Sequence, residues 1–178
     1  EFFVKKNFKN KKILGIHFRG TDQRIAANHA HPPTIFEIEN LIKKKVINGN
    51  FEKVFLLTED LNYYKKLKNK YKNLICSYDY FRAKNTEEFS TSNRKNHRNI
   101  LGFENLVEAI TLSKCDEVVF CETNISMFAI FYSNFKITKY HIDNGIKSSN
   151  VAIARFSWYL SIYFPKLLKH YLSILPRL

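Results

Sequence analysis

Apolar positions along the chain switch repeatedly between two spacings. Ile13 to Phe18 is a nearly continuous apolar run, as in a strand buried on both faces. A loop ending at Pro32-Pro33 follows. Thr34-Ile-Phe-Glu37 is a capping box, and Ile35, Ile38, Leu41, Ile42 and Val46 then recur at helical spacing. Asn48-Gly49-Asn50 stops that helix. Lys53 to Leu57 reads as a second buried strand. Thr58-Glu59-Asp60 opens a helix with Leu61, Tyr64, Leu67 and Tyr71 on one face. Leu74 to Cys76 is a short third strand.

The second half continues the alternation after an interruption. Tyr80 to Gly102 carries no clear periodicity and holds Arg82, Lys84, Arg94, Lys95 and Arg98. A loop of about twenty residues inside a domain is uncommon, and it reads equally as a functional loop or a disordered surface one. Phe103, Leu106, Val107 and Ile110 mark the apolar face of the next helix. Glu117 to Cys121 is a fourth strand. Ile125 to Phe131 is apolar all round, which predicts a buried helix. Lys136 to Tyr140 predicts a fifth strand. From Val151 the chain is helical and aromatic, with Pro165 ending or kinking the helix. This order predicts an α/β fold, a Rossmann-like parallel sheet with helices on both faces. The expectation is one domain over residues 1–178, with a helical tail from about 151.

Composition narrows the class. A chain of 178 residues that is 45% hydrophobic suits a single core. No apolar stretch is long enough to span a bilayer, and no secretory signal is visible. Starting at Glu1 without an initiator Met, the chain is expected to be a fragment of a longer protein. The net charge of +13 comes largely from Lys in short runs such as Lys43-Lys44-Lys45. Without a nucleic-acid motif, such runs favour a solvated face over a specific nucleic-acid groove, and they also suit an anionic small molecule or membrane surface. Cys76, Cys115 and Cys121 are odd in number and lack paired metal spacing, which argues against a disulfide framework or zinc site. Buried thiols in a reducing, cytoplasmic compartment are expected. There is no Gly-x-Gly-x-x-Gly and no Gly-Lys-Ser/Thr loop, which disfavours dinucleotide dehydrogenases and phosphate-loop NTPases.

Three predicted strands end in polar clusters: His17, Arg19, Thr21 and Asp22; Thr58, Glu59 and Asp60; and Glu122, Thr123, Asn124 and Ser126. In a parallel sheet these ends share one edge, where open α/β sheets bind ligands. Thr123 or Asn124 as N-cap leaves helix amides for a phosphate, and Arg19 suits a second phosphate oxygen. Plainer readings are a simple N-cap, and an Arg19 ion pair with Asp22 or Glu122.

His17-Phe-Arg19-Gly-Thr21-Asp22 resembles the His-x-Arg-Arg-Thr-Asp signature of the α-1,6-fucosyltransferases, including the bacterial nodulation type. His31-Pro32, Leu57-Thr58-Glu59-Asp60, Glu108 to Asp116, and Thr123-Asn124 follow in that family's order, so the resemblance spans Ile13 to about Asn134. It implies a GT-B enzyme of two Rossmann-like halves, of which this chain is the carboxyl-terminal, donor-binding half and the amino-terminal half is missing. It implies an inverting glycosyltransferase that moves fucose from GDP-fucose to a glycan acceptor. His17 and Glu108 would face guanine, with Glu108 where the family has Asp. Arg19 would hold the β-phosphate, helped by Thr123 and Asn124; Thr21, Asp60 and Ser126 complete the substrate-binding set. Arg19 and Asp22 are the expected catalytic pair, with Asp22 orienting Arg19 or serving as base. No Asp-x-Asp occurs, so no metal and no cofactor is expected. Gly20 replaces the signature's second Arg, and Ala27 falls near a carboxylate of the family.

Two other readings remain open: a non-enzymatic basic module for nucleic acid or anionic polymer, and a degenerate family member that binds nucleotide without turnover. Phe156, Trp158, Tyr159, Tyr163 and Phe164, with Lys166, Lys169 and Arg177, offer peripheral contact with the inner face of a membrane. Packing of that helix on its own domain or on the other half is the favoured reading.

Overall fold

The computed structural model describes residues 1–164, apart from the side chains of Phe89 and Ser90. Helix α1 (Phe2–Phe8) precedes the first strand, β1 (Ile13–His17), which is buried at every position. The chain continues through α2 (Ile35–Gly49), β2 (Lys53–Leu57), α3 (Leu61–Tyr71) and β3 (Ile75–Cys76). It then runs through α4 (Thr86–Thr91), α5 (His97–Leu112), β4 (Glu117–Phe120), α6 (Asn124–Tyr132), β5 (Thr138–His141) and α7 (Val151–Tyr163). All five strands are parallel, in the order β3-β2-β1-β4-β5. This is the α/β, Rossmann-like architecture expected.

The order follows from two runs of crossovers. β1, β2 and β3 step outward in one direction through α2 and α3. The chain then returns through α5 to β4 on the other side of β1 and continues through α6 to β5. Crossovers of one hand that advance in opposite directions put their helices on opposite faces. Leu14 and Ile16 of β1 accordingly pack with Ile38 and Ile42 of α2 and Leu67 of α3. Ile13, Phe55, Leu57, Val118 and Phe120 pack with Leu112 of α5, Ala129 and Ile130 of α6, and Phe8 of α1.

Local signals set the helix starts. Thr34 Oγ1 accepts from the Glu37 amide while Glu37 returns a carboxylate oxygen to the Thr34 amide at 2.8 Å. At Gly15, an added Cβ would lie 2.7 Å from Leu112 Cδ1 and 2.9 Å from Cys115 Sγ. The glycine therefore lets α5 close directly onto β1.

Five elements differ from expectation. Helix α1 is an addition; Phe3 and Phe8 meet the Phe55 ring edge-on, which gives a short helix its anchor. The stretch without periodicity contains α4 and the first turns of α5. On α5 the expected apolar face is turned outward: Phe103 is 64% and Leu106 47% exposed, while Glu104 and Glu108 are buried. The cause is the pair of arginines, Arg82 and Arg94, that meet those carboxylates from the preceding segment. Helix α6 is not buried all round: Ser126, Ala129 and Ile130 face inward, but Met127, Phe128, Phe131 and Tyr132 are exposed, because it lies on one face of the sheet.

Strand β5 begins two residues later than expected and is exposed throughout. In α7, Trp158 is buried whereas Phe156, Tyr159, Tyr163 and Phe164 are exposed. Pro165, Lys166, Lys169 and Arg177 lie outside the described residues. Among the described residues no helix is long and apolar enough to cross a membrane.

Because Leu112 and Cys115 are themselves buried, Gly15→Ala forces α5 away from β1. It is expected to cost about 1–3 kcal/mol, the usual penalty for overpacking a filled core. Urea denaturation at neutral pH measures it, and an unchanged midpoint contradicts this account.

Candidate functional site

The connections from β1 and β4 leave on opposite faces of the sheet, so the topological switch point, the crevice where open α/β sheets bind ligands, falls between their carboxyl ends. His17 is the last residue of β1, in register with Leu57 and Phe120. Its ring is buried, and Nδ1 lies 3.2 Å from Thr123 Oγ1. Nε2 is buried with no hydrogen-bond partner among the described residues. Burial, reinforced by the Arg19 charge, pushes the His17 pKa down to about 3, so the ring is neutral at physiological pH.

Thr123 caps α6. Its hydroxyl accepts from the Ser126 amide at 3.1 Å, and the Thr123 amide donates to Ser126 Oγ at 3.2 Å. Ser126 Oγ donates to the Cys121 carbonyl at 2.9 Å. This closed box fixes the helix start beside His17 and leaves the amides of Asn124 and Ile125 without partners among the described residues.

Helix α5 runs antiparallel to β1 with Leu112 against Gly15. Glu108 lies one turn earlier on the same helix, about 6 Å along its axis from Leu112. Glu108 is buried, and Arg82 Nη2 approaches it at 3.6 Å, while Oε1 has no hydrogen bond. Burial raises its pKa to about 7, against the lowering effect of Arg82 and with Glu104 and Glu59 adding to the rise. Arg82 is itself fixed by the carbonyls of Tyr80 and Tyr78 and stacks over the Tyr64 ring at 4.0 Å.

At the end of β1, Arg19 is partly exposed. Its Nη2 reaches both oxygens of Asp22, at 2.9 and 2.8 Å, which is the plainer pairing read from the sequence. Its Nε lies 3.7 Å from Glu59 Oε1. That same oxygen accepts from the amides of Gly20 and Thr21 at 2.8 and 3.3 Å, and from the Thr21 hydroxyl at 3.2 Å. Burial raises the Glu59 pKa against these donors. Asp60 is fully buried. One oxygen caps α3 at the Asn62 and Tyr63 amides, and the other pairs with Arg24, whose guanidinium lies over the Tyr63 and Trp158 rings.

The structure thus brings His17, Thr123, Ser126 and the start of α6 into one hydrogen-bonded unit at the crevice, and joins Arg19, Thr21 and Asp22 to Glu59 along its rim. Asp60 has both oxygens engaged by the protein. Sequence reasoning assigned no role to Glu59, Arg24, Arg82 or Lys147. Lys147 is buried and donates to the carbonyls of Gln23 and Ala30, which ties down the loop after β1, Ala27 included. A second acid between Thr58 and Asp60 was the available signal for Glu59. Its partners lie more than thirty-five residues away. Among the described residues no cluster of His, Cys, Asp and Glu is arranged to hold a metal. Compared with protein-family models and with curated proteins, the sequence finds no match.

Two predictions follow from this geometry. Glu108 keeps its proton in the folded chain up to about pH 7 but loses it near 4.5 when unfolded, so its contribution to stability is lost as pH rises through that interval. His17 acts in the opposite sense, costing stability as pH falls from 6.5 towards 3. Glu108→Gln is therefore expected to gain stability relative to the parent between pH 4.5 and 7.5, read from urea melts at both ends; a constant difference contradicts it. Separately, a Cβ at Gly20 would lie 2.7 Å from Asp60 Oδ2 and 2.9 Å from its Cβ. Since Asp60 is pinned, Gly20→Ala is expected to lower stability by about 1–3 kcal/mol in the same assay.

Proposed function

We propose that the crevice binds a nucleoside diphosphate sugar, and that the chain is the donor-binding part of an inverting fucosyltransferase that uses GDP-fucose. The observation that carries this reading is the meeting of three groups at the switch point: neutral His17 with a free Nε2, the uncapped amides of α6, and the half-exposed Arg19. Helix amides and an arginine are matched to a diphosphate. The buried Glu108 carboxyl suits guanine: on ionising it would accept from both the ring N–H and the exocyclic amine, partners that its unbonded Oε1 lacks in the free protein.

In this scheme, cleavage of the bond between the sugar and the β-phosphate leaves charge on the phosphate oxygens. Arg19 and the start of α6 stabilise that charge as it develops. Thr123 keeps the His17 ring fixed, and Glu59 holds the Arg19–Thr21 loop in shape. The acceptor glycan would be bound largely by the other half of such an enzyme.

GDP is expected to raise the melting temperature more than UDP or ADP at equal concentration, since a ligand of the native state stabilises it. Equal shifts with all three, or none, overturn the reading. Arg19→Ala is expected to weaken GDP binding by about ten-fold or more, the loss of a charge-assisted contact of about 1.5–3 kcal/mol, with the circular dichroism spectrum unchanged.

A further inference from the structure

Arg19 is held by two carboxylates that differ in kind. The Glu59 side chain is only 13% exposed and its Oε1 gathers three hydrogen bonds from Gly20 and Thr21, while its own carbonyl accepts from the Ala83 amide at 2.8 Å. It is anchored at both side chain and backbone. Asp22 starts a single 3-10 turn (Asp22–Arg24), and its side chain is 40% exposed. Both its oxygens rest on the one Arg19 nitrogen, and its side chain makes no other hydrogen bond among the described residues.

Orientation of Arg19 therefore does not require Asp22, because Glu59 already faces Nε from the buried side. What Asp22 supplies is a pair of anionic oxygens on Nη2, which is what a phosphate would supply there. An exposed ion pair of this kind adds little stability, so exchanging it costs little. Displaced Asp22 also has a second cation near it: its charge acts on Lys147, which is held by the Gln23 and Ala30 carbonyls beneath the same loop.

Resting on the reading of the crevice as a phosphate site, we propose that Asp22 is a resident anion on Arg19, displaced by the incoming phosphate rather than needed to receive it. The Arg19 grip is closed in the free protein and opens by carboxylate-for-phosphate exchange. Asp22 then acts as a threshold on anion affinity, admitting a multiply charged diphosphate and discriminating against weaker anions.

The test is a double-mutant cycle with inorganic pyrophosphate as probe, read by isothermal titration calorimetry. Asp22→Asn is expected to bind pyrophosphate about three- to five-fold more tightly than the parent, the scale of a released exposed ion pair. In an Arg19→Ala background the same substitution is expected to change nothing. Weaker or unchanged binding by Asp22→Asn overturns the proposal, as does an equal gain without Arg19, which would mark simple charge repulsion. Failure of parent and variant alike to bind pyrophosphate overturns it too. A parent that binds pyrophosphate but shows no preference for GDP fails the nucleotide reading alone and leaves this exchange standing.

Discussion

β1 is hydrogen-bonded along both edges, to β2 and to β4, and the connections beyond those neighbours leave on opposite faces. A strand so placed can end only in a gap between helices, and its last side chain must be buried among its neighbours' ends. His17 occupies that position. The same constraint delivers Thr123 from the end of β4 and Glu59 and Asp60 from the end of β2. Gly15 adds the fourth contributor: with no Cβ there, α5 settles against β1 and so sets the position of Glu108, one turn before Leu112. Removing the close approach at Gly15 would move Glu108 and leave the other three in place.

The buried acids around this edge are satisfied to very different degrees. Asp60 has two helix amides and an arginine; Glu59 has three donors from the loop after β1; Glu104 has both terminal nitrogens of Arg94, at 2.7 and 2.9 Å. Glu108 has one distant arginine and an unbonded oxygen. Burying an ionised group without full compensation is costly, and the group responds by holding its proton. His17 solves the mirror-image problem by staying neutral. His17 Nε2 and Glu108 Oε1 are thus buried atoms with unused hydrogen-bonding capacity, as are Arg24 Nε and Arg82 Nε beside the paired acids. Each such buried atom without a partner carries a desolvation cost that a ligand or water would relieve.

The strands and the helix starts were legible because their causes are local. The apolar run of β1, the capping box at Thr34, the N-cap at Thr123 or Asn124, and the polar start of α3 at Thr58 to Asp60 each involve residues within a few positions of one another. The Arg19–Asp22 pair, three residues apart, was legible for the same reason. The inward face of α5 was not, because Glu104 and Glu108 are buried only when Arg94 and Arg82 arrive, and those lie in a stretch whose sequence shows no period. Periodicity reports which face is apolar, whereas burial reports which face is covered; on α5 ion pairing and close packing at Ala109 and Leu112 decide the second. Glu59 was hidden by distance, since the amides that hold it belong to a loop on the far side of α2.

Gly20 joins the resemblance to its weakest point and gives that point a physical cause. Where the fucosyltransferase signature has a second arginine, this chain has no room for a side chain, because the Asp60 carboxylate lies against the backbone. Asp60 is there to cap α3 and to neutralise Arg24, and Arg24 is confined between Tyr63 and Trp158. Arg24 therefore contributes to the packing of α7 onto the domain through the Trp158 ring. One partly exposed guanidinium remains at the rim, already shared between Asp22 and Glu59. A diphosphate bound at this crevice must consequently draw more of its stabilisation from the amides at the start of α6 than a two-arginine site would require. The Thr123–Ser126 box, which fixes those amides next to His17, would then be the central element of the proposed anion site.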